Sequence, residues 1–280
     1  LRGNLGRPGT GISPVRGHSN VQGQRTVGIS EKPEQVPLDK LEAMFGFTAP
    51  RETGHTTVEF VEALIDGRAR GLISLGGNLA RAVPDIARAE PAWAGLDLNV
   101  QVATKLNRSH LLPGRETWLL PCLVRAEEDR QASGPQRVSM EDSLSHVHGS
   151  LGRNAPASPH LLSEPAIVAG IAKATLDPNP KVRWDAWVGD YRLIRALIEE
   201  ALPETFPGYE ERMSQPGGFY KGNPVRERVW KTKSGRAEFT VPPRLDSLAR
   251  DLAPGEMTLV TLRSNDQFNT TVYGFSDRLR

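Results

Sequence analysis

The chain has 280 residues, of which 38% are hydrophobic and 24% are charged, so it is long enough to bury a substantial core and to hold more than one domain. Its 35 basic and 33 acidic residues leave a net charge of only +2, which gives no support to a role in nucleic-acid binding. No apolar run approaches the roughly 20 residues that a membrane-spanning helix requires, and one cysteine excludes a disulfide framework or a multi-cysteine metal site within this chain. These features predict a cytoplasmic protein that neither inserts into a membrane nor binds nucleic acid.

The first informative segment is residues 11–23, GISPVRGHSNVQG, which follows a glycine- and proline-rich run at residues 3–9. Five glycines and two prolines within the first seventeen residues exclude a helix and disfavour a long strand. A loop of this kind brings its backbone close to a partner, and its arginine, histidine and amide side chains indicate a ligand. A surface turn with solvated polar residues is the alternative.

The segments that follow predict alternating helices and strands. Residues 38–45 predict a short helix, and Thr56 with Glu59 predicts a capping box at the start of a second helix, which Gly67 would end in the left-handed conformation. Pro84 is expected to begin another short helix. The predicted strands are residues 70–78, 96–102 and 117–121. Strands and helices alternating at this spacing predict a parallel α/β architecture.

The second half of the chain has a different composition. Residues 126–159 are charged, rich in serine and glycine and low in large apolar residues, which predicts an extended crossing over the surface. Ser163 and Asp190 are expected to cap two amphipathic helices that serve as packing elements. Residues 225–241 predict a hairpin, and residues 257–262 predict a strand that leads into a polar segment.

Several of these segments together resemble one enzyme family. The opening loop, GxxPVRGxxNVQG after GNxGxPG, resembles the active-site loop of molybdopterin-guanine-dinucleotide oxidoreductases, specifically the formate-dehydrogenase-like alpha subunits. The likeness is greatest to an uncharacterised or acid-resistance-associated branch. Further segments resemble the family in the same order: residues 76–78 (GGN), 104–110 (TKLNRSH), 120–122 (LPC), 234–237 (SGRA) and 261–264 (TLRS). The resemblance therefore runs from one end of the chain to the other.

The resemblance implies a fold and a division of the chain. The implied fold class is α/β, a parallel-sheet Rossmann-like domain with an additional α/β segment and the start of a C-terminal β-barrel. Residues 1–18 would end a preceding α/β domain and carry the active-site loop, and residues 19–125 would form the cofactor-binding domain. Residues 126–250 would hold the crossing, helical and hairpin regions, and residues 251–280 the start of the dinucleotide-binding barrel. We also expect an internal segment of a longer protein, whose upstream part carries the molybdenum ligand.

Two residues of the opening loop are candidate catalytic residues. Arg16 has a permanent, planar positive charge that suits a carboxylate or another small oxyanion, and the matching arginine of formate dehydrogenases is thought to orient the substrate beside the metal. A loop arginine in a salt bridge is the alternative. His18 stands where well-studied formate dehydrogenases have glutamine, and histidine exchanges protons near neutral pH. His18 would therefore relay protons, alter the choice of substrate or hydrogen-bond the cofactor, and it puts formate itself in doubt.

The remaining candidate residues are assigned to the cofactor, molybdenum bis(molybdopterin guanine dinucleotide). In a parallel α/β sheet nucleotides bind at the carboxyl ends of the strands, where lysine suits diphosphate oxygens and asparagine or serine suits base and ribose edges. The alternative for residues 104–110 is a helix N-terminus with solvated charges. The predicted cofactor-binding residues are Gly17, Asn20, Gly76, Gly77, Asn78, Thr104, Lys105, Asn107, Ser109, His110, Arg263, Ser264, Gln267 and Thr270.

The resemblance implies part of a molybdenum oxidoreductase that carries out a two-electron reaction on a small substrate, with formate as one candidate. A 4Fe-4S cluster is expected in the upstream part, together with an electron-transfer partner protein. A catalytically degenerate homologue that keeps the fold and a simple nucleotide-binding α/β module are the alternatives. Cys122 is predicted to be a buried structural residue. His146 and His148 have no third ligand nearby in the sequence, so no metal ligand is predicted in this chain.

Overall fold

The computed structural model describes residues 4–5, 7–10, 20–83, 85–241, 252–259, 267–268 and 271–272, the last four only in their backbone. The chain divides into two compact units, one formed by Pro14–Lys221 and the other by Leu1–Ser13 with Gly222–Arg280. The division into four parts at residues 18, 125 and 250 stays a prediction.

A three-stranded parallel sheet organises the first part of the larger unit. Its strands are β1 (Gly71–Leu75), β2 (Leu98–Ala103) and β3 (Glu116–Pro121), in the order β1-β2-β3. Both pairings are parallel, with Gly71 opposite Leu98 and Leu98 opposite Glu116. The parallel α/β prediction is therefore confirmed for this region, and all three carboxyl ends lie at one edge of the sheet.

Among the described residues, five α-helices precede β2 in the sequence. They are α1 (Val21–Thr26), α2 (Leu38–Phe45), α3 (Thr57–Ile65), α4 (Leu79–Ala82) and α5 (Ile86–Ala92). The capping box of α3 is confirmed, because Thr56 Oγ1 accepts from the Glu59 N–H at 3.3 Å and Glu59 Oε2 accepts from the Thr56 N–H at 2.7 Å. The hydrogen bonds from Thr56 lower the pKa of Glu59. Gly67 has φ +72°, as predicted for the residue that ends this helix.

The core of this region lies between the helices and the sheet. Val61 and Leu64 of α3 fall on one helical stripe and pack against α5, the segment that follows it and the sheet. The buried members of this cluster are Val61, Leu64, Ala80, Val83, Ala89, Trp93, Leu96 and Leu112. Several of these residues belong to the two segments that connect β1 with β2 and β2 with β3, so packing fixes the course of the loops at the carboxyl edge.

Residues 126–159 form strands, which corrects the prediction of an extended surface crossing. The strands are β4 (Arg130–Gln131), β5 (Gly134–Pro135), β6 (Arg137–Glu141) and β7 (His146–Leu151), and β8 (Phe219–Tyr220) pairs with β7. β6, β7 and β8 form an antiparallel sheet in that order. Val147 is buried against Phe206 and Phe219, so most of the apolar surface that covers β7 comes from residues more than fifty positions later in the chain.

The described part of the larger unit contains four further α-helices: α6 (Glu164–Thr175), α7 (Trp184–Gly189), α8 (Tyr191–Ala201) and α9 (Tyr209–Ser214). Both predicted caps are confirmed. Ser163 Oγ accepts from the Ala166 N–H at 3.4 Å, and Asp190 Oδ1 accepts from the Arg192 N–H at 3.0 Å.

The second unit differs from the expectation at residues 225–241 and 257–259. The described residues 225–241 contain turns, including one in which the Gly235 N–H donates to Thr232 O at 3.1 Å, but no paired strands, so the predicted hairpin is wrong there. Of the strand predicted at residues 257–262, the three described residues have no regular structure. β9 (Gln267–Phe268) and β10 (Thr271–Val272) form a short antiparallel pair. Among the helices of the described residues, none has the length and apolar character needed to cross a bilayer.

Candidate functional site

Two polar loops meet at the carboxyl edge of the parallel sheet. Residues 76–78 follow β1 and residues 104–110 follow β2, and parallel strands place both loops at the same edge. Asn107 Nδ2 donates to Gly77 O at 2.8 Å, which joins the two loops directly. The first loop is also tied to the sheet, because the Gly76 N–H donates to Val102 O at 2.8 Å.

The second loop is held in shape by its own side chains. Asn107 Oδ1 accepts from the Ser109 N–H at 3.0 Å, and the Asn107 N–H donates to His110 Nδ1 at 2.9 Å. Ser109 is buried, and its Oγ accepts from the Ala80 N–H at 3.1 Å and donates to Asn78 Oδ1 at 3.4 Å. Asn78, Asn107, Ser109 and His110, all predicted cofactor-binding residues, thus lie together, and their hydrogen bonds connect the two loops to each other.

Other predicted site residues at this edge have free space around them or lack a partner among the described residues. Gly76 and Gly77 have φ of +72° and +80°, and a Cβ built on either would have no atom within 4 Å. Thr104 and Lys105 are exposed, and the Lys105 ammonium makes no ion pair with any of the described residues. His110 Nε2 is buried without a hydrogen-bond partner among the described residues. The edge therefore offers space, a positive charge and an unsatisfied buried ring nitrogen.

Arg108 has a structural partner that sequence reasoning missed. Its Nε donates to Glu90 Oε1 at 3.0 Å, and Arg81 Nη1 lies 3.5 Å from the same oxygen. The hydrogen bond from Arg108 lowers the pKa of Glu90, which keeps the carboxylate charged near neutral pH. Arg108 thus ties the 104–110 loop to α5, and its positive charge is largely offset.

Asn20 lies at the start of α1 and contacts the antiparallel sheet. Its Oδ1 accepts from the Glu141 N–H at 3.0 Å. The helix approaches β6 so closely that a Cβ at Gly23 would lie 2.3 Å from Asn20 Oδ1 and 3.1 Å from Glu141 Cβ. The side-chain oxygen of this predicted cofactor ligand therefore holds α1 against β6.

Glu141 is a buried carboxylate that sequence reasoning did not single out. Its side chain accepts from Gln22 Nε2 at 2.7 Å and from Thr26 Oγ1 at 2.8 Å, and it lies 3.3 Å from Lys221 Nζ. The residue is 3% exposed. These contacts anchor both ends of α1, the helix that includes the last three residues of the opening loop.

Seven of the predicted site residues have no described side-chain geometry. Arg16, Gly17, His18, Arg263, Ser264 and Thr270 lie outside the described residues, and Gln267 is described only as part of β9. Their roles stay predictions from the sequence.

The prediction for Cys122 is confirmed. It is buried against Val102 and Ile167, and burial, with smaller contributions from nearby Glu164 and Glu127, raises the pKa of its thiol to about 11. A thiol of this kind is a poor nucleophile and a poor metal ligand at neutral pH.

His148 pairs with a carboxylate and stacks on His146. Its Nε2 lies 3.1 Å from Asp142 Oδ2, and its ring stacks with that of His146 at 6.1 Å between centroids. The described residues contain no group of three or more histidine, cysteine or acidic side chains that would hold a metal ion.

No family model matches this sequence. Over all 280 residues the chain is 49% identical to Protein YdeP of Escherichia coli O6:H1, and over 281 aligned positions it is 44% identical to the uncharacterized oxidoreductase Rv2900c of Mycobacterium tuberculosis. The chain spans 37% and 36% of the lengths of these relatives. A stretch of 108 residues, 36% of the chain, is 31% identical to the putative formate dehydrogenase SAR2393 of Staphylococcus aureus and covers 11% of that protein. The chain is thus similar along its whole length to YdeP and to a protein named as an oxidoreductase, and over about a third of it to one named as a formate dehydrogenase.

Proposed function

We propose that this chain is part of a molybdenum bis(molybdopterin guanine dinucleotide) oxidoreductase, similar to formate dehydrogenases, that carries out a two-electron reaction on a small substrate. The observation that carries the proposal is the junction of the GGN and TKLNRSH loops at the carboxyl edge of the parallel sheet, which Asn107 and Gly77 make. Similarity to a relative named as an oxidoreductase supports it. A Rossmann-like domain and the start of a β-barrel belong to the same proposal.

The residues at the loop junction fit a dinucleotide cofactor. Gly76 and Gly77 leave room for a ligand to approach their backbone, and Thr104 and Lys105 offer a hydroxyl and an ammonium to phosphate oxygens. We assign the direct contacts to these four residues. Asn78, Asn107, Ser109 and His110 take a different role, because their mutual hydrogen bonds shape the two loops that receive the cofactor. His110 Nε2 is the one ring nitrogen of this group whose partner would be the ligand.

The cofactor supplies two-electron chemistry at molybdenum when it is bound. The guanidinium of Arg16 would hold and orient a small anionic substrate, and His18 would accept or donate the proton that the reaction exchanges. Since histidine replaces glutamine at position 18, formate is one substrate among several small anions. A 4Fe-4S cluster outside this chain, an electron-transfer partner protein and a cytoplasmic location are further parts of the proposal.

Metal analysis of the full-length protein tests this proposal directly. Produced in a host that makes the cofactor, the protein should contain molybdenum. Arg16→Ala should abolish turnover with molybdenum retained, whereas Lys105→Ala should lower the molybdenum content because it removes a phosphate contact. Lys32→Ala, which removes another exposed lysine, is the matched control and should change neither quantity. Folded, metal-free protein from such a host would refute the proposal.

A further inference from the structure

A polar pocket lies on the antiparallel sheet, outside the loops assigned to the cofactor. It has a volume of about 280 Å³ and opens where β6 and β7 meet the loop that follows α9. The lining residues are Arg137, His148, Gly149, Leu151, Arg153, Met213, Ser214, Gln215, Pro216, Gly217 and Gly218. Its size is close to the lower end of the range typical of small-molecule sites.

The charge of this pocket is positive. Arg137 and Arg153 both line it, and neither forms an ion pair with any described carboxylate. No acidic residue contributes to the lining. The carboxylates next to the lining residues are already engaged, Asp142 by His148 and Glu210 by Arg195. Two arginines therefore face a cavity with their charge uncompensated.

Arg137 is held through two contacts of its side chain and one of its backbone. Its Nη1 donates to Ser214 Oγ at 3.0 Å, and its carbonyl oxygen accepts from Arg195 Nη1 at 2.7 Å. Its aliphatic stem crosses Gly149 so closely that a Cβ there would lie 2.4 Å from Arg137 Cδ. Little side-chain freedom is left to lose when a ligand binds, which favours binding.

The far wall of the pocket is a loop seated tightly on β7. Gly217 and Gly218 have φ of +81° and +66°, and a Cβ at Gly218 would lie 1.9 Å from Val147 O. Only glycine fits this approach. The loop thereby presents the Gln215 amide to the cavity as a neutral hydrogen-bonding group beside the two guanidiniums.

We propose that this pocket is a binding site for a phosphate-bearing small molecule, with Arg137 and Arg153 as its charged contacts. Guanidinium groups present parallel N–H donors that match phosphate oxygens, and two of them suit a dianionic or more highly charged group. The Gln215 amide supplies a further hydrogen bond, while Ser214 accepts from Arg137 at 3.0 Å and donates to Glu210 Oε1 at 3.4 Å. The site is independent of the molybdenum proposal, because it uses none of the residues assigned to that cofactor.

Isothermal titration calorimetry of the purified full-length protein with inorganic phosphate and, in a second arm, with inorganic pyrophosphate tests the site. Saturable binding of either probe is expected, and tighter binding of pyrophosphate would identify a diphosphate as the preferred group. Arg137→Gln and Arg153→Gln should each weaken binding by about tenfold or more, since each removes a charge-assisted contact. Arg153 is exposed and its side chain makes no hydrogen bond with the described residues, so its replacement leaves the fold intact.

Arg125→Gln is the matched control. Arg125 is also exposed and without a described carboxylate partner, but it lies outside the pocket and contacts Met140 Sδ at 3.1 Å. Arg125→Gln removes the same overall charge and should leave the affinity for phosphate and pyrophosphate unchanged. Absence of saturable binding of both probes, or an equal loss of affinity in Arg125→Gln, would overturn the proposal.

Discussion

Replacing Glu141 tests whether the contact between α1 and β6 holds the larger unit together. The carboxylate is buried and receives hydrogen bonds from Gln22 and Thr26, both on α1, and an ion pair from Lys221. Glu141→Ala leaves all three of these groups without their partner. Glu141→Gln keeps the shape and one acceptor oxygen but removes the charge that faces Lys221.

The contacts set the size of the expected effect. Removing one member of a buried ion pair costs about 3–5 kcal/mol, because the remaining charge stays buried and uncompensated. We expect a loss of that size in Glu141→Ala. We expect a smaller loss of about 1–3 kcal/mol in Glu141→Gln, because its amide oxygen still accepts a hydrogen bond and the Lys221 side chain, 17% exposed, keeps some contact with water. With a urea dependence of about 2–3 kcal/mol per molar, the alanine variant should unfold about 1–2 M earlier.

Urea denaturation followed by circular dichroism measures this difference. Asp185→Ala is the control, because Asp185 pairs with Lys173 on the surface and its side chain is 84% exposed, so its loss should cost at most about 1 kcal/mol. If Glu141→Ala were no more destabilising than this control, the Glu141 network would not hold α1 to the sheet. A loss in Glu141→Gln as large as in Glu141→Ala would show that the charge alone matters.

Three further predictions concern other groups. Asn107→Ala breaks the bond to Gly77, so hydrogen exchange should become faster in residues 76–78; unchanged exchange there would contradict the bridge. Cys122, with its pKa raised to about 11, should react with iodoacetamide at pH 8 about 100-fold more slowly in the native protein than in urea, as mass spectrometry can follow; equal rates would contradict its burial. Burial raises the pKa of Asp142, but hydrogen bonds from His146, His148 and Leu144 lower it by more, so its pKa in the folded protein is below its usual value. This carboxylate therefore contributes stability that is present above its unfolded-state pKa and is lost as pH falls through its folded-state pKa. Unfolding measured between pH 6 and pH 3 should show a smaller acid-induced loss in Asp142→Asn than in the unmodified protein, and identical losses would refute this contribution.

Local signals explain what the sequence could predict. Thr56 and Glu59 are three residues apart and bond to each other, so the cap needs no information from the rest of the chain. The apolar runs of the parallel strands are similarly local. β7 was missed because the side chains that cover Val147, among them Phe206 and Phe219, come from distant segments of the chain.

The same difference between local and distant contacts decides which parts of the candidate site the sequence predicts. Sequence patterns placed each of the two loops after a strand of the parallel sheet, and parallel strands bring such ends to one edge. The sequence patterns did not predict that the Asn107 and Ser109 side chains form hydrogen bonds with other groups of the protein. Glu141 gave no signal, since it is one acid in a polar stretch and its partners Gln22 and Thr26 lie 119 and 115 residues away.

The bond between Asn107 and Gly77 has a consequence for protein engineering. Because one amide spans both loops, neither the GGN segment nor the TKLNRSH segment is a self-contained module. A chimaera that takes residues 104–110 from a relative with another residue at position 107 would leave the Gly77 carbonyl without its donor. Transplanting both loops together would keep that donor–acceptor pair. Ligand preference at this edge should therefore pass from one relative to another only when both loops are replaced at once.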